Sequence, residues 1–268
     1  MDNTEDSALV TLRSETGAVS RLILNRPQAG NSLSTIMIAQ LHKALTDIAE
    51  RSDIKVIILS GAGGRVFCAG HDLNEFAYKE AAHDFSALAA LMQQIMAQPQ
   101  IVIAKVEGAA TAAGCELVAA CDLALASSAA RFAVPGTNIG FWCHSPQVQL
   151  SRLIGRKQAM MMLATGKLFP ATHALSIGLI NEIHEPDMLE AAVDSLAAEI
   201  ASKSGAILAL GKRSFHHQAK LDLPEAYEFA GDSANANLRH PDAIEGIAAF
   251  LEKRPPKWAD KVMPIPSL

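Results

Sequence analysis

The chain has 268 residues, 50% of them hydrophobic and 5% aromatic, and a formal net charge of −5. That length buries a substantial core in one large domain or one domain with an appendage, and the Ala-, Leu- and Ile-rich composition suits a helix-rich α/β protein over an all-β one. The negative balance gives no basic field to recruit nucleic acid or an acidic membrane, and no apolar run reaches the roughly 18 residues that a membrane span needs.

The opening Met1-Asp-Asn-Thr-Glu-Asp6 is acidic and polar, unlike a signal or transit peptide, so a cytoplasmic address is expected. Ala8 to Arg13 and Val19 to Asn25 read as a strand pair around a turn at Glu15-Thr-Gly17. Arg26-Pro-Gln-Ala-Gly30 breaks the pattern, and Ser34 is placed to cap a helix running to about Arg51. Lys55 to Ser60 is a short buried strand, followed by Gly61-Ala-Gly-Gly64. That glycine cluster lacks the Lys-Ser/Thr ending of a phosphate loop and the GxGxxG spacing, so it reads as a turn.

Phe67-Cys-Ala-Gly-His-Asp-Leu73 is small and polar at a strand's end, where ligands of open α/β sheets bind. A helix from about Asp84 to Ala97 leads to Ile101-Val-Ile-Ala-Lys-Val106, an apolar run of the buried parallel type. Gly108 to Asp122 then gives a glycine-softened turn and a helix over Ala112 to Ala120. Such a turn presents helix amides with no intrahelical acceptor, where a developing oxyanion can dock, and Glu116 lies about one turn along. Asp122 to Ala126 and Arg131 to Ala133 are short strands, and Ser145-Pro146 is a capped helix start. From there the chain is mostly helical, with breaks near Phe169-Pro170, Gly178 to His184, Gly205, Pro224 and Pro241. Cys68, Cys115, Cys121 and Cys143 show no zinc-type spacing and read as reduced thiols; no metal is expected.

Four segments carry a resemblance: Asn25-Arg-Pro with Asn31-Ser-Leu33, Phe67 to Leu73, Gly114-Cys-Glu-Leu with Cys121-Asp122, and Glu245-Gly-Ile-Ala-Ala-Phe-Leu-Glu-Lys-Arg254. In this order the sequence resembles the crotonase, or enoyl-CoA hydratase/isomerase, superfamily over nearly its whole length. The resemblance implies an α/β spiral of ββα units over residues 1–204 and a helical C-terminal region over 205–268 that trimerises, often as a dimer of trimers. It implies an acyl-CoA thioester as substrate, with coenzyme A part of that substrate and no separate cofactor. The backbone N–H groups of His71 and Ala113 would form the oxyanion hole, Ala113 standing where many relatives carry glycine. Ala69, Asp72, Leu73, Gly136 and Trp142 would line the acyl site. Arg26, Phe250 and Lys253 would face coenzyme A, with Arg254 and Lys257 as further phosphate candidates.

The resemblance breaks at the carboxylates. Hydratases of this family divide acid and base work between two glutamates; Glu116 matches the first, and Gly136 stands at the second. Losing such a group costs about 100- to 10,000-fold in rate. His144 is the first substitute to consider because an imidazole titrates near neutrality, with Asn138, Cys143 and Asp72 behind it. Gly140-Phe-Trp-Cys-His-Ser-Pro146 is similar to the pattern of the enoyl-CoA hydratase domain-containing 3 group, and its Phe141 and Trp142 either narrow the acyl tunnel or fill the core. Three functions stay open: 2-enoyl-CoA hydration through Glu116, another oxyanion-stabilised reaction such as isomerisation or thioester hydrolysis, and acyl-CoA binding with residual activity.

Overall fold

The apolar runs of the first half pair in register across a long sheet. In the computed structural model, which describes residues 9–14, 17–76 and 85–259, β1 (Val10–Ser14) and β2 (Val19–Leu24) are antiparallel, with Val10 opposite Leu24. Ala8, most of the expected turn at Glu15-Thr-Gly17 and Asp84 lie outside the described residues. The Ser34 hydroxyl accepts from Met37 N–H at 3.2 Å and so starts α1 (Thr35–Ala49), satisfying one of the open amides of its first turn. Next come β3 (Val56–Gly61), β4 (Val66–Cys68) and α2 (Ser86–Ala97), then β5 (Ile101–Val106), β6 (Ala109–Thr111) and α3 (Ala113–Ala120), then β7 (Leu123–Ser127), β8 (Arg131–Ala133) and α4 (Pro146–Leu153).

Each of these triplets is a strand, a second strand and a helix, and the two strands go to different sheets. β3, β5 and β7 lie together in a six-stranded sheet ordered β1-β2-β3-β5-β7 with a last strand beside β7, while β4, β6 and β8 lie together in a second, four-stranded sheet. The chain therefore winds as a spiral of ββα turns. β6 is too short and small-sided for its pattern to show in sequence; parallel pairing to Arg131–Ala133 makes it a strand.

The second half adds α5 (Arg156–Thr165), β9 (Phe169–Pro170), α6 (Ala171–Ser176), β10 (Glu182–His184), α7 (Leu189–Ala201), α8 (Gly205–Gln218), α9 (Leu223–Leu238) and α10 (Pro241–Leu251). Two expected breaks are strands instead: β9 pairs antiparallel with β8, and β10 extends the large sheet parallel to β7. Pro224 and Pro241 open α9 and α10, in the first turn where proline costs no hydrogen bond, and the Asp222 side chain caps α9.

The large sheet is buried on both sides, and strand alternation sorts its residues. Ile57, Leu59, Val102 and Ala104 face the main core beneath α1, α2 and α3, while Val56, Ile58, Ile103 and Leu125 face Leu189, Val193 and Ala197 of α7. The α8 helix is tied to the sheet by a buried cation. Lys212, 7% exposed, donates to the Ile95 and Gln100 carbonyls at 2.9 and 3.0 Å and to the Asp122 carboxylate at 2.6 Å. Asp122 also accepts from Val102 N–H at 2.7 Å, so this acid is structural. Burial pushes the Lys212 ammonium below its usual range, and Asp122 opposes that. Replacing Lys212 with Ala strands Asp122 and two carbonyls; urea unfolding is expected to show a loss of about 3 to 5 kcal/mol.

Candidate active site

Two close approaches build the site. A Cβ on Gly114 would lie 2.0 Å from the Cys68 carbonyl oxygen, so only glycine lets the first turn of α3 seat on the end of β4. Gly70, at φ +98°, turns the chain so that its own Cβ position comes 2.8 Å from Ala112 Cβ and 3.1 Å from Ala113 N. His71 then follows directly beside the start of α3.

The direction of the His71 amide follows from a one-residue parallel bridge. Leu33 N–H donates to the Gly70 carbonyl at 2.7 Å, and Leu33 C=O accepts from Asp72 N–H at 3.1 Å. In a parallel ladder this turns the N–H of the intervening His71 away from Leu33. Across from it, Ala113 N–H opens α3, with no intrahelical acceptor. The backbone strain falls one residue before Ala113: Ala112 takes φ 50°, ψ −121°, a region that costs an alanine roughly 1 to 3 kcal/mol. Its N–H is held by the Ala133 carbonyl at 2.9 Å, and its C=O accepts from Cys115 and Glu116. Ala113 itself is helical, so it needs no glycine.

His71 and Ala113 line a cavity of about 910 Å³ together with Ala69, Asp72, Leu73, Gly136, Cys143, His144 and Ser145. Beside it, 2% exposed, lies Glu116. The Ser145 hydroxyl donates to Glu116 Oε1 at 2.8 Å, and Oε2 has no hydrogen-bond partner among the described residues. Burial pushes the Glu116 carboxyl up to about 7, against the pull of the Ser145 donation. A paired set of preorganised amides and a carboxyl poised near neutrality can stabilise an enolate and move a proton next to it.

The enoyl-CoA hydratase/isomerase family model matches residues 14–261. The chain belongs to this family. It is 40% identical over 259 residues to the Danio rerio enoyl-CoA hydratase domain-containing protein 3, mitochondrial, covering 95% of this chain and 89% of that protein. The crystal structure of human enoyl coenzyme A hydratase domain-containing protein 3 superposes with a TM-score of 0.87 at 39% identity, covering 93% of this chain and 100% of that one. An enoyl-CoA hydratase structure from Mycobacterium smegmatis gives a TM-score of 0.88 at 40% identity, covering 94% and 99%. The fold is thus the crotonase fold with a helical C-terminal region. The cytoplasmic address expected from the polar opening residues is overturned, because the Danio rerio, Mus musculus and Homo sapiens relatives, each 40% identical, are named mitochondrial.

The substitutes for the family's second glutamate are placed as follows. Asp72 lines the cavity, but Arg26 Nη1 holds it at 2.5 Å and Asn74 N–H at 3.0 Å; burial raises its carboxyl, and these bonds bring it net below the usual range. Arg26 also donates to Ser32 Oγ at 3.1 Å, so its guanidinium is turned inward onto the protein. Cys143 is a buried thiol that burial pushes upward, with the Gly136 backbone pulling back, which leaves it a poor nucleophile. Asn138 donates to the Gly166 carbonyl at 3.3 Å, and the exposed His144 meets the Phe141 ring edge to face at 6.2 Å. Trp142 packs against the core and donates to Gln147 Oε1 at 2.8 Å; Phe141, not Trp142, lines the cavity. Phe250 on α10 is 83% exposed, and neither it nor Lys253 is among the residues that line the cavity of the single chain. Cys68 and Cys115, fully enclosed, are pushed up to about 12 by burial.

Sequence reasoning missed Ser145 as a site residue. It was expected to cap α4, yet its backbone is already helical and its side chain makes no capping bond. Nothing local announces a partner 29 residues away.

The loop at Gly136 has no room for a carboxylate. A Cβ there would sit 2.3 Å from the Phe141 carbonyl oxygen and 2.8 Å from Cys143 Sγ. Gly136→Glu is therefore expected to lower the melting temperature and to give no faster turnover of crotonyl-CoA than the wild type; a faster rate would show that the loop opens. Glu116 sets a second expectation. Between its ordinary 4.5 and about 7 the folded chain holds a proton that the unfolded chain has released, so stability is full below that window and declines as pH rises through it. Relative to Glu116→Gln, the wild type is expected to lose on the order of 3 kcal/mol from the bottom of this window to above its top, read by urea unfolding at the two pH values.

Proposed function

We propose that the protein hydrates 2-enoyl-CoA thioesters, with Glu116 as the acid–base group. The supporting observation is a buried carboxyl poised near neutrality beside the open Ala113 amide at the start of α3, with a His71 amide that the parallel bridge turns away from Leu33. On this reading the carboxylate takes a proton from water as the water oxygen bonds to the β carbon. The double-bond electrons move onto the thioester oxygen, between the His71 and Ala113 N–H groups, where one such donor is worth about 3 to 4 kcal/mol. The protonated Glu116 then delivers a proton to the α carbon. The acyl chain runs along Ala69, Leu73 and Phe141, and no cofactor is needed beyond the coenzyme A of the substrate.

The closed loop at Gly136 favours one other reading, double-bond isomerisation, in which a single carboxylate lifts a proton from one carbon and returns it to another. A trimer or dimer of trimers is part of the proposal, supported by the exposed Phe215, Leu223, Tyr227, Ile247 and Phe250 of α8 to α10. In such an assembly Phe250 and Lys253 can face a neighbour's coenzyme A.

The test follows conjugated-thioester absorbance with crotonyl-CoA and longer 2-enoyl-CoAs, and with 3-enoyl-CoAs. Hydration is expected to rise with pH through about 7 as Glu116 ionises, and Glu116→Gln is expected to lose about 100- to 10,000-fold. Appearance of conjugation from 3-enoyl-CoA without hydration would select the isomerase reading.

A further inference from the structure

The two oxygens of the Glu116 carboxyl have unequal surroundings. Oε1 accepts the Ser145 hydroxyl at 2.8 Å, and Oε2 is buried with no hydrogen-bond partner among the described residues. Ser145 stands on the cavity wall between His144 and Pro146, and its hydroxyl plays no part in capping α4. The place of a second carboxylate is closed at Gly136 by the Phe141 carbonyl, and Asp72 is committed to Arg26 and Asn74. Among the described residues at the cavity, Glu116 is thus the carboxyl with an oxygen not committed to a protein donor, and the Ser145 hydroxyl is the group that touches its other oxygen.

We propose that Ser145 is a positioning residue that fixes the Glu116 side chain with Oε2 as its single proton-carrying oxygen. This rests on the reading of Glu116 as the acid–base group. A hydroxyl has one hydrogen to give and can donate it to Oε1 whether Oε2 is charged or protonated. Ser145 thus keeps its bond through both halves of the proton cycle, and no proton passes through it. The bond also fixes the carboxyl torsion, so the oxygen that receives a proton from one atom of the reacting pair is the one that returns it to another.

The ionisation of Glu116 can be followed by infrared difference titration of its carboxyl band, assigned with Glu116→Gln and needing no substrate. Ser145→Ala removes a donor that favours the charged form, and the midpoint is expected to rise by about one pH unit. Ser145→Thr keeps the hydroxyl and is expected to keep the wild-type midpoint. With whichever enoyl-CoA is turned over, Ser145→Ala is expected to lower kcat with KM unchanged, and Ser145→Thr to restore it. An unmoved midpoint in Ser145→Ala would overturn the positioning role. Absence of turnover by the wild type would remove the proposed reaction, and the titration would still decide what Ser145 does.

Discussion

The seating of α3 on the end of β4 is the contact on which the site depends. With a Cβ at Gly114 only 2.0 Å from the Cys68 carbonyl, the helix and the small sheet are as close as backbone allows. That approach puts the first amide of α3 beside the turn at Gly70, and the bridge at Leu33 turns the His71 amide away from Leu33. The strained Ala112 joins these constraints: it follows β6, donates its N–H to the Ala133 carbonyl and hands the chain to the helix. Strain of this size persists where surrounding bonds over-determine the backbone, as three hydrogen bonds do here.

Environment gives Glu116 and Asp72, both at the cavity, opposite characters. Glu116 is buried and receives one neutral donor, so burial prevails and its carboxyl rises. Asp72 is also buried, but a guanidinium and two Asn74 N–H groups surround it, so it stays ionised. Pairs driven apart in this way are how one pocket divides proton transfer from framework. The result narrows Arg26 and Asp72 to support of the turn that carries His71.

Much of this was legible in the sequence because the signals were local. Ser34 announced a cap, the apolar runs from Val56 and Ile101 announced buried strands, and Gly108 to Glu116 announced a strand-turn-helix with a carboxylate one turn in. What the sequence hid was decided by partners far along the chain. Phe169-Pro170 and Glu182–His184 are strands only because β8 and β7 offer them edges, and their composition carries no strand signal. Ser145 obeyed the helix-start rule in place but not in bonding, since Glu116 competes for its hydroxyl. Gly136 read as a missing catalytic group; in the fold it is a backbone that Phe141 presses against.

The counter-charge that Asp122 meets in the interior is supplied late. Lys212 lies 90 residues after Asp122 and 117 after Ile95, the groups it satisfies. On a ribosome the spiral turns emerge first, and until α8 follows, Asp122 has no Lys212 counter-charge and the Ile95 and Gln100 carbonyls at the entry to the inner strand β5 lack this donor. The hydrogen bonds of this part of the core are therefore complete only once a helix from the far end of the chain has docked on the spiral.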